Sequence, residues 1–277
     1  MKVSFKTGIQ DGSWDELLTV WQAGDQIERF VAGWFNDHLY NPFYPTHSDS
    51  PQAFDSFTLL AGLARETTRL RLGTMVAANL VRHPALVARI AATIDHLSNG
   101  RFDLGLGTGW HEQEHADYGI DLLSVGARVS AFEESCRVIT SLLTEQETTF
   151  SGEFYRIDGA RAEPKPVQDR IPIVIGASGE QRMLRIVARY ANHWNIDDPG
   201  PEVLAHKIEV LERHCAAAGR DPAEIEYSVQ FWVDGTVDGL REKVVALRDV
   251  GAEHAVVSLR RPDPGILEAV AEALADV

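Results

Sequence analysis

Eight short runs rich in β-branched and aromatic residues recur along the chain, and a helix-like stretch follows each one. The strand-like runs cover 2–7, 30–35, 71–78, 101–107, 171–177, 193–196, 225–233 and 255–259. The helical stretches lie near 13–27, 55–67, 84–98, 127–145, 180–191, 201–218, 238–250 and 264–276. Parallel strands need a crossover connection, so this alternation points to a parallel sheet wrapped by helices. Eight repeats in 277 residues predict a (β/α)8 barrel, a TIM barrel, of about the usual ~250 residues. An open doubly wound sheet is the competing architecture. The whole chain, 1–277, reads as one domain.

The stretch PALVARIAATIDHL (84–97) shows the helical logic. Leu86, Ile90, Ile94 and Leu97 recur at helical spacing, Pro84 suits the first turn, and Asn99-Gly100 supplies a stop. The interval between the fourth and fifth strand-like runs is too long for one helix. It contains an insertion, about 147–170, whose alternation FSGEFYRI predicts a small strand pair before a proline-rich return.

Composition narrows the partners. The formal charge of −15 argues against nucleic acid and anionic membranes, which need clustered positive charge. Two cysteines, Cys136 and Cys215, give no disulfide framework, so a reducing cytoplasm is expected. The sequence offers neither an apolar signal segment at MKVSFKTGIQ nor a run near the ~18 apolar residues of a membrane span.

If the chain is a barrel, chemistry belongs where the strands end. Four stretches compete there. HEQEH (111–115) fits the H-E-x-x-H zinc pattern, with Glu133 or Glu134 as a third ligand. Its context is wrong: WHEQEHADYG lacks an apolar back face, and Gly119 limits the helix to two turns. The expectation is a solvated helix over the barrel mouth with His115 on its surface, and no metal. GLGTG (105–109) starts like a dinucleotide fingerprint, but Trp110 stands where the last glycine belongs. Its glycines still let a flat ring approach the backbone. GASGE (176–180) leads into a helix whose first N–H groups suit a phosphate; a plain cap by Ser178, with Glu180 complementing the helix dipole, is the alternative. WFNDHL (34–39) ends a strand on Asp37-His38, an acid/base pair or a loop cap. His83 before Pro84 is a helix-cap candidate, and Arg82, Arg260 and Arg261 form a candidate local basic patch.

Together, these stretches resemble the luciferase-like monooxygenase superfamily, and within it the deazaflavin (coenzyme F-420)-dependent oxidoreductases. The main block is RLGTMVAANLVRHPALVARIAATIDHLSNGRFDLGLGTGWHEQEHADYGI (71–120), supported by IPIVIGASGEQRMLRIVARYANHWN (171–195) and WFNDHL. The resemblance implies a barrel with an insertion between its fourth and fifth strands. It also implies a tricyclic ring across the mouth, resting on a bulge with a non-prolyl cis peptide at Met75–Val76. Ring and ribityl contacts map onto Asp37, Met75, Val76, Thr108, Gly109 and Trp110. The phosphate maps onto Gly176, Ala177, Ser178 and Gly179. His38 is the implied acid/base, oriented by a neighbouring carboxylate, with Asp37 beside it as the other catalytic candidate. The implied activity is hydride transfer between F-420 and a small organic substrate, in a homodimer. FMN with monooxygenase chemistry, or a non-catalytic flavin-binding relative, are the alternatives. Trp34, Phe43, Tyr44 and Trp232 are the aromatic residues expected near the mouth.

Overall fold

A computed structural model describes residues 1–277 except Asp11, Phe43, His47 and Asp49. The elements run in chain order β1 (Lys2–Thr7), α1 (Trp14–Gln26), β2 (Phe30–Asp37), α2 (Ser56–Glu66), β3 (Arg71–Ala78), α3 (Pro84–Ser98) and β4 (Phe102–Gly107). Next come α4 (Glu112–Asp117), α5 (Val125–Thr144), β5 (Thr148–Ser151), β6 (Arg156–Ala160), β7 (Ile173–Gly176), α6 (Met183–Tyr190) and β8 (His193–Asp197). The chain finishes with α7 (Pro201–Ala218), β9 (Glu226–Val233), α8 (Leu240–Arg248), β10 (His254–Leu259) and α9 (Pro264–Ala273). Eight strands close into a parallel barrel in the order β1-β10-β9-β8-β7-β4-β3-β2. β5 and β6 pair antiparallel outside it, as the insertion predicts. Glu134 of α5 ties that hairpin down by accepting from the N–H groups of Glu153, Phe154 and Tyr155.

The barrel strands are buried on both faces, so period-two alternation separates two kinds of interior. From β1, Phe5 points outward and packs edge-on against Trp21 of α1 at 5.4 Å. Lys2, Ser4 and Lys6 point to the axis at three successive levels, reaching Glu226, Trp34 and Gln230 respectively. A small apolar layer of Ala32, Trp34, Met75, Val174 and Val256 separates the two ends of the axis. Trp34 therefore belongs to the barrel interior, its indole donating to Ser4 Oγ at 2.9 Å, and not to the mouth. Phe43 lies outside the described residues.

Helix ends follow their sequence signals. His83 caps α3 through Nδ1, Pro84 opens it, and Asn99 closes it at φ 55°. The face of α3 differs from expectation. Leu86 is 57% exposed, whereas Val87, Ala88, Ala91 and Ala92 are buried. Ile94 is buried and Ile90 and Leu97 pack against the core as the spacing predicts, so Leu86 alone departs, and small alanines fill the rest of the buried face.

Candidate active site

The mouth is shaped by irregularity in β3. Its pairing with both neighbours slips near residues 75–77, and the Met75–Val76 peptide is cis. The bulge turns Val76 toward two glycines: a Cβ on Gly107 would lie 2.6 Å from Val76 Cγ2, and one on Gly176 3.1 Å. Side chains there would fill the cradle. Gly109 adopts φ +77°, a conformation that favours glycine.

A cleft of about 360 Å³ opens over this floor. Met75, Val76, Ala77, Ala78, Gly107 and Gly109 line it with backbone and small apolar groups. Lys6, Asn36, Asp37, His38, His111, Glu114, His115, Asp197 and Gln230 supply its polar edge, and Trp110 and Trp232 its aromatic rim. A flat apolar floor with polar groups at one edge fits a planar heteroaromatic ring. Of the cofactor residues implied by resemblance, Asp37, Met75, Val76, Gly109 and Trp110 share this cleft. Thr108 and the 176–179 segment are not among its lining residues, although Gly176 packs against Val76 of the floor. In that segment Ala177 N–H donates to Asn195 and Lys207 Nζ donates to the Ser178 carbonyl. Helix α6 begins only at Met183 and has no side-chain cap, so Ser178 is not its cap. Glu180 pairs with Lys207 and His206 instead.

The sequence HEQEH is where the structure departs most from expectation. His111 caps α4, its Nδ1 accepting from the Glu114 N–H at 3.1 Å. Glu114 is buried and turns inward. Its Oε2 lies 3.0 Å from His38 Nδ1, and its Oε1 accepts the Leu39 N–H. Burial alone would raise the Glu114 carboxyl, but His38 and the Leu39 N–H outweigh it and hold the group below its ordinary value. His115 is not helix surface. It is 1% exposed, lines the cleft, and its Nδ1 has no partner among the described residues. Burial lowers its imidazole below the ordinary range, which favours the neutral ring. The third-ligand candidates are used elsewhere: Glu133 pairs with Arg185 and Arg189, and Glu134 holds the hairpin.

Asp37 has a different neighbourhood from His38. Its carboxylate accepts from Ser56 Oγ at 2.6 Å and from Arg82 at 2.6 Å. Arg82 also bonds Asp55 at 2.5 Å and lies over Phe57. That guanidinium is thus committed between two carboxylates and is not free to grip an anionic tail. Arg260 lies over Trp232 with Asp234 3.5 Å away.

Among the described residues, one group has the spacing of a metal site, at the opposite end of the barrel. His193, Glu226 and His254 place ligand atoms within 4.8 Å of one another. Protein partners already use much of this set. His254 bonds Glu226 through Nδ1 and Ser4 through Nε2, and Lys2 adds an ammonium 2.5 Å from Glu226. No helix among the described residues is long and apolar enough to cross a membrane.

The fold and cleft define a (β/α)8-barrel protein with a polar-edged cleft at the C-terminal ends of its strands. The sequence profile of the luciferase-like monooxygenase family matches residues 12–257, and the chain belongs to that family. An uncharacterized protein of Mycobacterium tuberculosis is 35% identical over 170 residues, covering 61% of this chain and 59% of its own. Pyrimidine monooxygenase RutA of Rhizobium rhizogenes is 34% identical over 212 residues, 74% of this chain and 57% of its own. The chain thus spans less than two thirds of the length of these relatives. An F420-dependent secondary alcohol dehydrogenase in complex with an F420-acetone adduct shares the fold at a TM-score of 0.86. That likeness covers 98% of this chain and 97% of the other, at 17% identity.

Proposed function

We propose that the protein is an oxidoreductase that moves a hydride between coenzyme F-420 and a small organic substrate. The observation that carries this reading is the His38–Glu114 contact of 3.0 Å beside the Met75–Val76 floor, in one cleft. A bound deazaflavin supplies hydride chemistry rather than oxygen activation. The chain supplies the rest. Met75, Val76, Thr108, Gly109 and Trp110 form the surface against which the ring lies. Gly176, Ala177, Ser178 and Gly179 take the phosphate. His38 holds or moves the proton that accompanies the hydride, at the ring nitrogen not facing Glu114. Glu114 fixes the orientation of that ring. Asp37 acts indirectly, by anchoring Arg82 and the end of β2.

Purified protein titrated with F-420 and with FMN tests this directly. Micromolar F-420 binding, with His38→Ala losing turnover but not cofactor affinity, is the expected result. The second reading is an FMN-dependent monooxygenase, favoured by the identity to a pyrimidine monooxygenase. Micromolar FMN binding with none for F-420 would establish it in place of the first. A non-catalytic flavin-binding relative would show no rate that His38→Ala changes.

A further inference from the structure

Lys6 stands on the cleft side of the barrel axis, at the last inward position of β1. It is only 7% exposed. An ammonium carries three N–H donors and no acceptor. Among the described residues Lys6 reaches a single acceptor, Gln230 Oε1, at 3.0 Å. Trp232 offers its ring 5.8 Å away. Asp197 acts on Lys6 electrostatically, without a hydrogen bond to it among the described residues. Burying a charge is costly unless it is paired and hydrogen-bonded, and here two donors are left over. Burial lowers the Lys6 ammonium to about 8, with Asp197 opposing the shift, so the charge is kept near neutral pH at a cost to the free protein. Those spare donors belong to a residue that lines the same cleft as His38 and Val76.

We propose that Lys6 is an oxyanion-binding residue: its ammonium takes an anionic or strongly polarised oxygen of a molecule seated in the cleft. Gln230 holds the head group in place, and Trp232 covers one side of it. Two sources can bring such an oxygen. One is the rim of the reduced ring cofactor, where negative charge accumulates after two-electron reduction. The other is a carbonyl or carboxylate of the substrate. The inference rests on reading this cleft as the cofactor and substrate site.

The experiment uses the full chain with Lys6→Met and Lys6→Gln. Lys6→Met removes a buried charge at similar volume, so the ligand-free variant should melt at or above the wild-type Tm. Lys6→Gln keeps a polar head if the methionine variant does not fold. Oxidised and reduced FMN, and oxidised and reduced F-420, are titrated anaerobically, together with benzoate and its neutral analogue benzyl alcohol, read by quenching of tryptophan fluorescence. If the oxygen is the cofactor's, the ratio of reduced to oxidised affinity falls about tenfold in the variants, which lowers the bound two-electron potential by ~30 mV. If it is the substrate's, that ratio stays constant and the preference for benzoate over benzyl alcohol falls about tenfold. Unchanged ratios in both arms, in variants that fold, overturn the proposal. Failure of wild-type protein to bind either cofactor would instead sink the functional reading, and the benzoate arm would still judge Lys6.

Discussion

Glu114 of α4 and His38 of the β2 exit meet at 3.0 Å although they lie 76 positions apart in sequence. The same carboxylate also fixes the backbone N–H of Leu39, so ring and backbone are oriented by one group. Glu114→Gln keeps an acceptor for Leu39 and removes the charge. General acid–base groups contribute ~10²–10⁴-fold, and losing the orienting carboxylate should cost about 10²-fold in kcat. Cofactor affinity should stay within about threefold of wild type, because Glu114 orients His38 from the polar edge and does not line the Met75–Val76 floor. A Glu114→Gln enzyme with wild-type kcat would show that the contact has no part in turnover.

Much of this arrangement was legible in the residues. Strand and helix positions follow the alternation of patterns to within a few residues, and the bulge at Met75–Val76 lies where the resemblance puts it. Glu114 and His115 escaped because α4 is polar nearly throughout and reads locally as a solvated helix. Only tertiary contact shows that it lies in the mouth, against residues of another strand's exit. Lys6 escaped for a different reason. Its signal was present: Lys2, Ser4 and Lys6 alternate with Val3 and Phe5 in a strand buried on both faces. The outward set, Val3 and Phe5, packs against the helices, which leaves Lys2, Ser4 and Lys6 on the axis, where bulky apolar residues are usual and a buried lysine is not.

Asp37 and Arg82 should behave as structural partners. Arg82→Ala leaves the nearly buried Asp37 carboxylate without its cation, and Asp55 loses the same partner. Breaking one side of a buried pair costs ~3–5 kcal/mol. Solvent reaches Asp55, so its share is small. The expected result is a large drop in Tm by calorimetry. Asp37→Asn should lower stability as well, while leaving the pH profile of kcat in place. A displaced pH profile with unchanged Tm would return Asp37 to the acid/base role.

Two neighbouring glycines of GLGTG should fail in different ways. A Cβ on Gly105 would lie 1.8 Å from the backbone oxygen of Thr74, and strand backbone cannot yield that far. Gly105→Ala should cost more than the ~1–3 kcal/mol usual for overpacking and give little folded protein. At Gly107 the clash is with Val76 Cγ2, a side-chain atom on the cleft floor. Gly107→Ala should fold, with cofactor affinity reduced at least about tenfold as Val76 is pushed into the ring site. Circular dichroism and cofactor titration separate the two outcomes, and full affinity in Gly107→Ala would mean that the ring does not lie on Val76.

Acid should destabilise the protein through the closed end of the barrel. Burial, with His254 adding to it, holds the His193 imidazole down at about 3 from an ordinary 6.5. Between those values the unfolded chain binds a proton that the folded chain does not, so stability falls as pH drops, by at most ~1.4 kcal/mol per pH unit for one proton. Glu226 works in the same direction. Burial would raise its carboxyl, but His254 and Lys2 outweigh that and hold it well below the ordinary 4.5. Its contribution is complete above 4.5 and is lost as pH falls toward the folded value. His193 stacks on His254 at 5.3 Å and 21°, a geometry that phenylalanine can keep. His193→Phe should therefore fold and show a flatter Tm between pH 6.5 and 4 than wild type, at constant ionic strength. Parallel Tm curves for the two proteins would show that His193 carries none of the acid sensitivity and would leave it to Glu226.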